Sequence, residues 1–147
     1  WSELHRLFAL VRRDGDVRAV VLYSEGKCFT AGLDCAYPLR DSLQVRDPAL
    51  TNIFSDGADP ARRAFLLRDF IDRFQQAITS IETCERPVIG VAHGFTVGLG
   101  IDILSAVDVR YAARNVRFSI REAAIGLAAD IGSLQRFPKV VGNDSLA

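Results

Sequence analysis

The clearest pattern in the chain is an apolar stripe at helical spacing in its middle third. Residues 67–81 place apolar side chains three or four positions apart, with charged and amide side chains between them. The stripe consists of Leu67, Phe70, Ile71, Phe74, Ala77, Ile78 and Ile81. Asp59 and Pro60 precede it as an N-cap residue and a proline at the first helical position. With Pro87 as a stop, the pattern predicts one long amphipathic helix.

Short β-branched segments lie on both sides of this helix. Residues 17–23 (VRAVVLY) and 88–93 (VIGVAH) predict buried strands, the first in a sheet covered on both faces. Weaker patterns predict strands at 107–112 and 116–120. Helical spacing recurs at 4–11, and a short helix is expected between Gly132 and Gly142. Because strands and helices alternate, the predicted fold class is α/β.

Two glycine turns each follow a predicted strand. The first lies in SEGKCFTAGLD (24–34), and the second is GFTVGLG (94–100), which is expected to open a helix through about Ala106. Such turns direct backbone N–H groups out of the end of a strand, where an anion can bind. The second turn is not a dinucleotide fingerprint, because Ile103 stands where GxGxxG requires glycine.

Composition and charge narrow the function classes. The chain balances 18 basic against 18 acidic side chains, which argues against binding nucleic acid by phosphate neutralisation. No run approaches the roughly 18 apolar residues of a membrane span. Cys28, Cys35 and Cys84 include no CxxC pair, and the two histidines are far apart, so we expect neither a disulfide framework nor a metal site.

The length indicates one domain with its own core. The 147 residues contain no methionine, and we interpret 1–147 as a window from a longer protein, truncated at both ends. Residues 36–58 show no clean period and contain two prolines and several aspartates. This composition predicts an insertion or a mobile loop.

Three carboxylates are notable because their sequence neighbours are apolar. They are Asp102 in GIDILSA, Glu122 in REAAIG and Asp130 in GLAADIG. Burial among such neighbours raises a carboxyl pKa, which suits a general acid or base near neutral pH. Structural roles stay open as alternatives. Asp102 could cap a helix, Glu122 could form a surface pair near Arg121, and Asp130 could be an N-cap.

Three longer segments resemble the crotonase (enoyl-CoA hydratase/isomerase) superfamily. They are GKCFTAGLD, RPVIGVAHGFTVGLGIDILSAVDVRYA and FSIREAAIGLAADIGSLQRFPKVVGN, in family order and at family-like separations. The resemblance covers nearly the whole chain except about 36–58. It implies a crotonase-like spiral of ββα units, of which this chain is the N-terminal core without the C-terminal helical part. Asp102, Glu122 and Asp130 together are similar to the Δ3,5-Δ2,4-dienoyl-CoA isomerase branch, since hydratases carry glutamates at the first two positions.

The resemblance implies a reaction and residue roles. The expected reaction converts 3,5-dienoyl-CoA into 2,4-dienoyl-CoA in the β-oxidation of unsaturated fatty acids. Glu122 would be the base at C2, Asp130 the acid at C6, and Asp102 would tune or orient the pair. Backbone N–H groups of Ala31 and Leu99 would form the oxyanion hole. The implied substrate contacts are Ala31, Gly32, Leu33, Asp34, Cys35 and Leu99.

The same resemblance implies no metal or redox cofactor, since coenzyme A is part of the substrate. It also implies a mitochondrial or peroxisomal location and a homotrimer or homohexamer. One departure is Leu99, where the family usually has glycine or alanine, and whose side chain could narrow the acyl tunnel. Two alternatives remain. An enoyl-CoA hydratase would use Asp102 and Glu122 but not Asp130, and a non-catalytic module would only bind acyl-CoA.

Overall fold

A computed structural model of the chain describes residues 2–33, 36 and 59–142. The elements in chain order are α1 (Ser2–Arg13), β1 (Val20–Leu22), α2 (Pro60–Glu82), β2 (Val88–Ala92), β3 (Phe95–Val97), α3 (Leu99–Ala106), β4 (Val109–Ala112), β5 (Arg117–Ser119), a 3-10 turn (Glu122–Ile125) and α4 (Ser133–Val141). The predicted contacts Asp34 and Cys35, and the predicted loop at 36–58 apart from Ala36, lie outside the described residues.

The strands of the described residues form two parallel sheets. The larger sheet has the order β1-β2-β4, with Val21 opposite Ile89 and Ile89 opposite Val109. The smaller sheet pairs β3 with β5, and Thr30 adds a parallel bridge to Thr96. Parallel neighbours require crossover connections, and α2 and α3 lie in two of them. The predicted α/β class is confirmed.

Helix α2 follows the apolar stripe that predicts it. The Asp59 carboxylate accepts a hydrogen bond from the Arg62 N–H over 2.8 Å, so the N-cap is formed as expected. The buried residues of the helix are Phe70, Phe74, Ala77, Ile78 and Ile81. Ile78 and Ile81 join Phe8 of α1 and Val88 of β2 in the main core cluster. The apolar face of α2 therefore joins the first helix to the larger sheet.

Two expectations about strands are wrong. The larger sheet is not covered on both faces within the described residues, because its outer face leaves Val21 52% and Tyr111 61% exposed. Only the face that carries Val88 and Ala92 is buried. The sequence predicts a turn that includes 95–97, whereas the structure forms β3 there. Its partners are β5 and Thr30, which are tertiary neighbours that local periodicity does not report.

Candidate active site

The two glycine turns lie side by side. The Thr30 N–H donates to the Phe95 carbonyl over 3.1 Å, and the Thr30 carbonyl accepts from the Val97 N–H over 3.0 Å. Gly100 permits this approach, because a Cβ there would lie 2.7 Å from Thr30 Cγ2 and 2.8 Å from Thr96 Cγ2. The segment containing Ala31 is thereby held against the start of α3.

The backbone N–H groups of Ala31 and Leu99 are the candidate donors of the site. Within the part of the chain that the structure describes, no protein acceptor bonds to either group. Leu99 is the first residue of α3, where N–H groups lack an intrahelical partner. Both residues line one cavity of about 390 Å³. Two unpaired N–H donors on one cavity are what an oxyanion hole requires.

The cavity has apolar walls and two carboxylates. Its apolar lining includes Leu4, Gly32, Leu33, Val97, Leu127 and Ile131. The two carboxylates are Asp102 and Glu122, and Arg121 is the one basic side chain among the lining residues that the structure describes. The arrangement can hold an apolar ligand next to acid–base groups.

Asp102 is buried and held by another helix. It lies in the first turn of α3 with 1% exposure, and its Oδ1 accepts from the Ser133 N–H over 2.7 Å and from the Ser133 hydroxyl over 2.8 Å. Burial raises the pKa of Asp102 to about 6. The two hydrogen bonds from Ser133 oppose this rise by lowering the pKa, and the charge of Glu122 adds to it. The structural alternative is partly right, because the Asp102 carboxylate accepts the first N–H of α4 while Asp102 also lines the cavity.

Glu122 starts the 3-10 turn and lies against Gly98. A Cβ at Gly98 would be 2.9 Å from Glu122 Oε1, and Gly98 has a φ of +54°, so glycine is required there for two reasons. Glu122 Oε2 is buried and finds no hydrogen-bond partner among the described residues. This oxygen is available to accept a proton from a ligand in the cavity.

Asp130 is placed differently from the other two carboxylates. It is half-buried, and it is not among the residues that line the cavity, although its neighbour Ile131 is. Its main-chain carbonyl accepts a hydrogen bond from Gln75 Nε2 over 2.7 Å. Asp130 does not cap α4, whose N-cap is Gly132 without a side-chain cap bond. The structure thus brings Asp102 and Glu122 together and places Asp130 one residue from the wall.

Sequence reasoning missed Ser133. A serine at the start of a helix is typical of capping positions, so a signal was present. The bond it makes, however, goes to a carboxylate 31 residues earlier in the chain. No spacing pattern reports such a partner.

A second, more open cavity of about 460 Å³ shares Ala31, Val97, Arg121 and Ile125 with the first. Phe95, Ala124 and Ile125 give it apolar walls, and Arg117 lies at its side. The two adjoining cavities leave room for an elongated, mainly apolar ligand.

Further features of the described residues concern metal ligands, cysteines and membrane-spanning helices. Among them, no three potential metal ligands come together, and Cys28 and Cys84 are free thiols. No helix in these parts of the chain has the length and apolar character needed to cross a membrane.

Comparison with known proteins relates this site to one family. The sequence model described as enoyl-CoA hydratase/isomerase matches residues 1–145. The human mitochondrial Δ(3,5)-Δ(2,4)-dienoyl-CoA isomerase is 44% identical over 146 residues, which cover 99% of this chain and 42% of that protein. The peroxisomal protein of the same name from Arabidopsis thaliana is 36% identical over 140 residues, 95% of this chain and 47% of that protein. This chain therefore spans less than half the length of these relatives.

Solved structures share the fold. A crystal structure of an enoyl-CoA hydratase/isomerase from Mycobacterium paratuberculosis superposes with a TM-score of 0.72 and 25% identity, over 97% of this chain and 49% of that one. The match confirms the crotonase-like α/β architecture that the sequence segments imply.

Proposed function

Because this chain belongs to the enoyl-CoA hydratase/isomerase family, we propose that the protein is an isomerase that converts 3,5-dienoyl-CoA into 2,4-dienoyl-CoA. The observation that carries the proposal is one cavity lined by two unpaired N–H donors and two carboxylates. The relatives named dienoyl-CoA isomerase, 44% identical to this chain, favour isomerisation over other reactions of the family.

The reaction moves two double bonds without a redox step. A base removes a proton from C2, electrons shift along the conjugated chain, and a proton is added at C6. The thioester acidifies C2 only when its enolate oxygen is stabilised. The N–H groups of Ala31 and Leu99 supply that stabilisation, and losing one such donor typically costs about 10²–10³ in rate.

Three carboxylates divide the proton chemistry. Glu122 is the base at C2, and its unpartnered buried Oε2 supports this role. Asp130 is the acid at C6, on the segment that continues from Ile131 of the cavity wall. Asp102 orients and tunes the pair, and the charge of Glu122 contributes to the raised pKa of Asp102, which supports their proximity.

The remaining features follow from the family and the relatives. Gly32 and Leu33 of the cavity wall contact the acyl thioester. The family resemblance implies the same role for Asp34 and Cys35. Coenzyme A is part of the substrate, and no further cofactor takes part. The relatives named mitochondrial and peroxisomal support one of these two compartments. The proposed assembly is a homotrimer or homohexamer, which rests on the family resemblance alone.

A hydratase of the same family is the second candidate. It is favoured by one observation, which is that Asp102 and Glu122 line the cavity and Asp130 does not. Two carboxylates on one face of a C2=C3 bond suffice to add water. Asp130 is the residue that separates the two functions, because a hydratase needs no acid at C6.

The test uses the full natural protein that carries this sequence. A 3,5-dienoyl-CoA substrate is supplied, and the ultraviolet absorbance of the conjugated 2,4-dienoyl thioester is followed in wild type, Asp130→Asn and Asp72→Asn. Asp72 is an exposed aspartate of α2 and serves as the matched control. We expect activity that collapses only in Asp130→Asn. Hydration of a 2-enoyl-CoA that survives Asp130→Asn, without isomerisation, would establish the hydratase instead. Binding of acyl-CoA without either reaction would leave a non-catalytic module.

A further inference from the structure

Resting on the proposed function, we propose that Ser133 is a positioning residue that holds Asp102 by one carboxylate oxygen and leaves the other oxygen to the cavity. Both residues are deeply buried, with exposures of 2% for Ser133 and 1% for Asp102. Ser133 donates twice to the same atom, through its N–H and its hydroxyl, and both bonds end on Oδ1. Because Oδ1 is occupied and Asp102 lines the cavity, Oδ2 is the oxygen left for a ligand or for Glu122.

The start of α4 is itself fixed in place. Arg136, 8% exposed, donates from Nε and Nη2 to Glu82 Oε2 over 2.9 and 2.7 Å, and from Nη2 to the Thr79 hydroxyl over 3.1 Å. Arg136 also lies against Gly132. A Cβ added at Gly132 would collide with Nη1 of Arg136. These contacts attach α4 to α2. Ser133 therefore meets Asp102 from a rigid support rather than from a loop.

The hydroxyl bond has an electrostatic consequence for Asp102. Two charged groups act on the Asp102 carboxylate, Glu122 from the 3-10 turn and Arg136 from α4. Glu82 of α2 pairs with Arg136 and so affects Asp102 only indirectly. Burial and Glu122 disfavour the ionised form, whereas the two bonds from Ser133 and the charge of Arg136 favour it. Removing the hydroxyl bond therefore moves the pKa of Asp102 upward, beyond about 6.

The molecule contains a matched control for this bond. Ser105 is also buried near Asp102, at 8% exposure, but its hydroxyl donates to the Asp102 main-chain carbonyl over 2.7 Å. Ser105→Ala removes a buried hydroxyl bond to the same residue without touching the carboxylate. A purely structural role of Ser133 would make Ser133→Ala behave like Ser105→Ala.

The experiment compares wild type, Ser133→Ala, Ser133→Thr and Ser105→Ala in the full natural protein. Isomerisation is measured as kcat and KM against pH, and the pKa of Asp102 is followed separately by NMR of labelled aspartate carboxyls, assigned with Asp102→Asn. For Ser133→Ala we expect kcat to fall about 10- to 100-fold with KM little changed, as for a lost bond to a charged group. The acid limb of the pH profile and the NMR pKa of Asp102 should both move upward. Ser133→Thr, which keeps the hydroxyl, should restore both towards wild type, and Ser105→Ala should move neither.

Two results would overturn the proposal. One is an Asp102 pKa that is the same in Ser133→Ala as in wild type. The other is a pH profile that shifts equally in Ser133→Ala and Ser105→Ala. If the wild-type protein does not isomerise dienoyl-CoA, the proposed function fails, and the NMR pKa still decides the role of Ser133. The two failures are therefore distinguishable.

Discussion

Gln75, in the middle of α2, donates from Nε2 to the main-chain carbonyl of Asp130 over 2.7 Å, although the two residues are 55 positions apart. The next residue after Asp130 lines the cavity, so this bond attaches the cavity wall to the longest helix of the described chain. This hydrogen bond fixes the orientation of the peptide unit that carries the Asp130 carbonyl. It therefore also restricts the direction of the Asp130 side chain. The position of the proposed acid at C6 thus depends on a side chain of α2.

Replacing Gln75 with methionine should reduce isomerisation while leaving the fold intact. Gln75→Met keeps the side-chain length but removes the donor, and the loss of one neutral bond corresponds to about a fivefold decrease in kcat. Gln76→Met is the control, because Gln76 is an exposed neighbour on the same helix. Steady-state kinetics of both variants check the prediction. Equal effects of the two substitutions would show that the bond does not position Asp130.

Alanine at Gly98 should disable the site more than it weakens the fold. Gly98 combines a φ of +54° with a Cβ position 2.9 Å from Glu122 Oε1, so Gly98→Ala adds backbone strain and displaces the proposed base. Gly126→Ala is the matched control, because Gly126 has a φ of +75° and nothing within 4 Å of its Cβ position. Gly126→Ala should lose about 1–2 kcal/mol of unfolding free energy, because Gly126 has the left-handed α conformation. Gly98→Ala should lose more, because its ψ of −112° lies outside that region. Only Gly98→Ala should lose activity by a further factor of about 100 or more, as removal of a general base does.

Denaturation and turnover of the two glycine variants are measured side by side. Similar activity in both would mean that the contact with Glu122 is irrelevant to catalysis.

The long helices and the fold class were predictable because their signals are local. The stripe along α2, the Asp59 cap and the short helix after Gly132 each depend on residues a few positions apart. The outer face of the larger sheet was not predictable in this way. Residues 17–23 carry apolar side chains on both faces of the strand, so their sequence pattern does not show which face is covered. The pattern therefore predicts that Val21 is buried, whereas the structure leaves it exposed.

The site was predictable in its residue types but not in its geometry. Apolar sequence neighbours identified Asp102 and Glu122, and both line the cavity, but only Asp102 is buried, whereas Glu122 is half-buried. Asp130 has equally apolar neighbours and is nevertheless off the wall, because tertiary contacts decide which side a residue faces. The bond from Ser133 to Asp102 links segments far apart in sequence, and only the folded chain reveals it.

Arg136 should stabilise the protein far more than Arg12, although each forms one ion pair with a glutamate of the same region. The Arg136 side chain is 9% exposed, whereas Arg12 is 64% exposed in its pair with Glu85. Arg136→Met removes the donor to the Thr79 hydroxyl and to Glu82, which is itself 51% exposed, and detaches α4 from α2, for which we expect a loss of about 1.5–3 kcal/mol. Arg12→Met breaks an exposed, solvent-screened pair worth less than about 1 kcal/mol. Urea denaturation of both variants tests the ranking, and equal losses would contradict it.

Asp102→Asn should abolish activity and yet stabilise the protein above neutral pH. The folded pKa of Asp102 is raised from 3.8 to about 6, so the folded state binds more protons than the unfolded state between these values. Stability from this group is therefore highest at acid pH and is lost as the pH rises through that window. Asparagine keeps the acceptor for Ser133 without the buried charge. The free energy of unfolding of Asp102→Asn should therefore exceed that of wild type by on the order of 3 kcal/mol at about pH 8, and this difference should shrink towards about pH 4.5. Chemical denaturation at both pH values measures it, with exposed Asp72→Asn as the control, which should change stability little at either pH. A gain that is the same at both pH values, or a loss at the higher one, would show that the Asp102 charge is not buried at a cost in the folded protein.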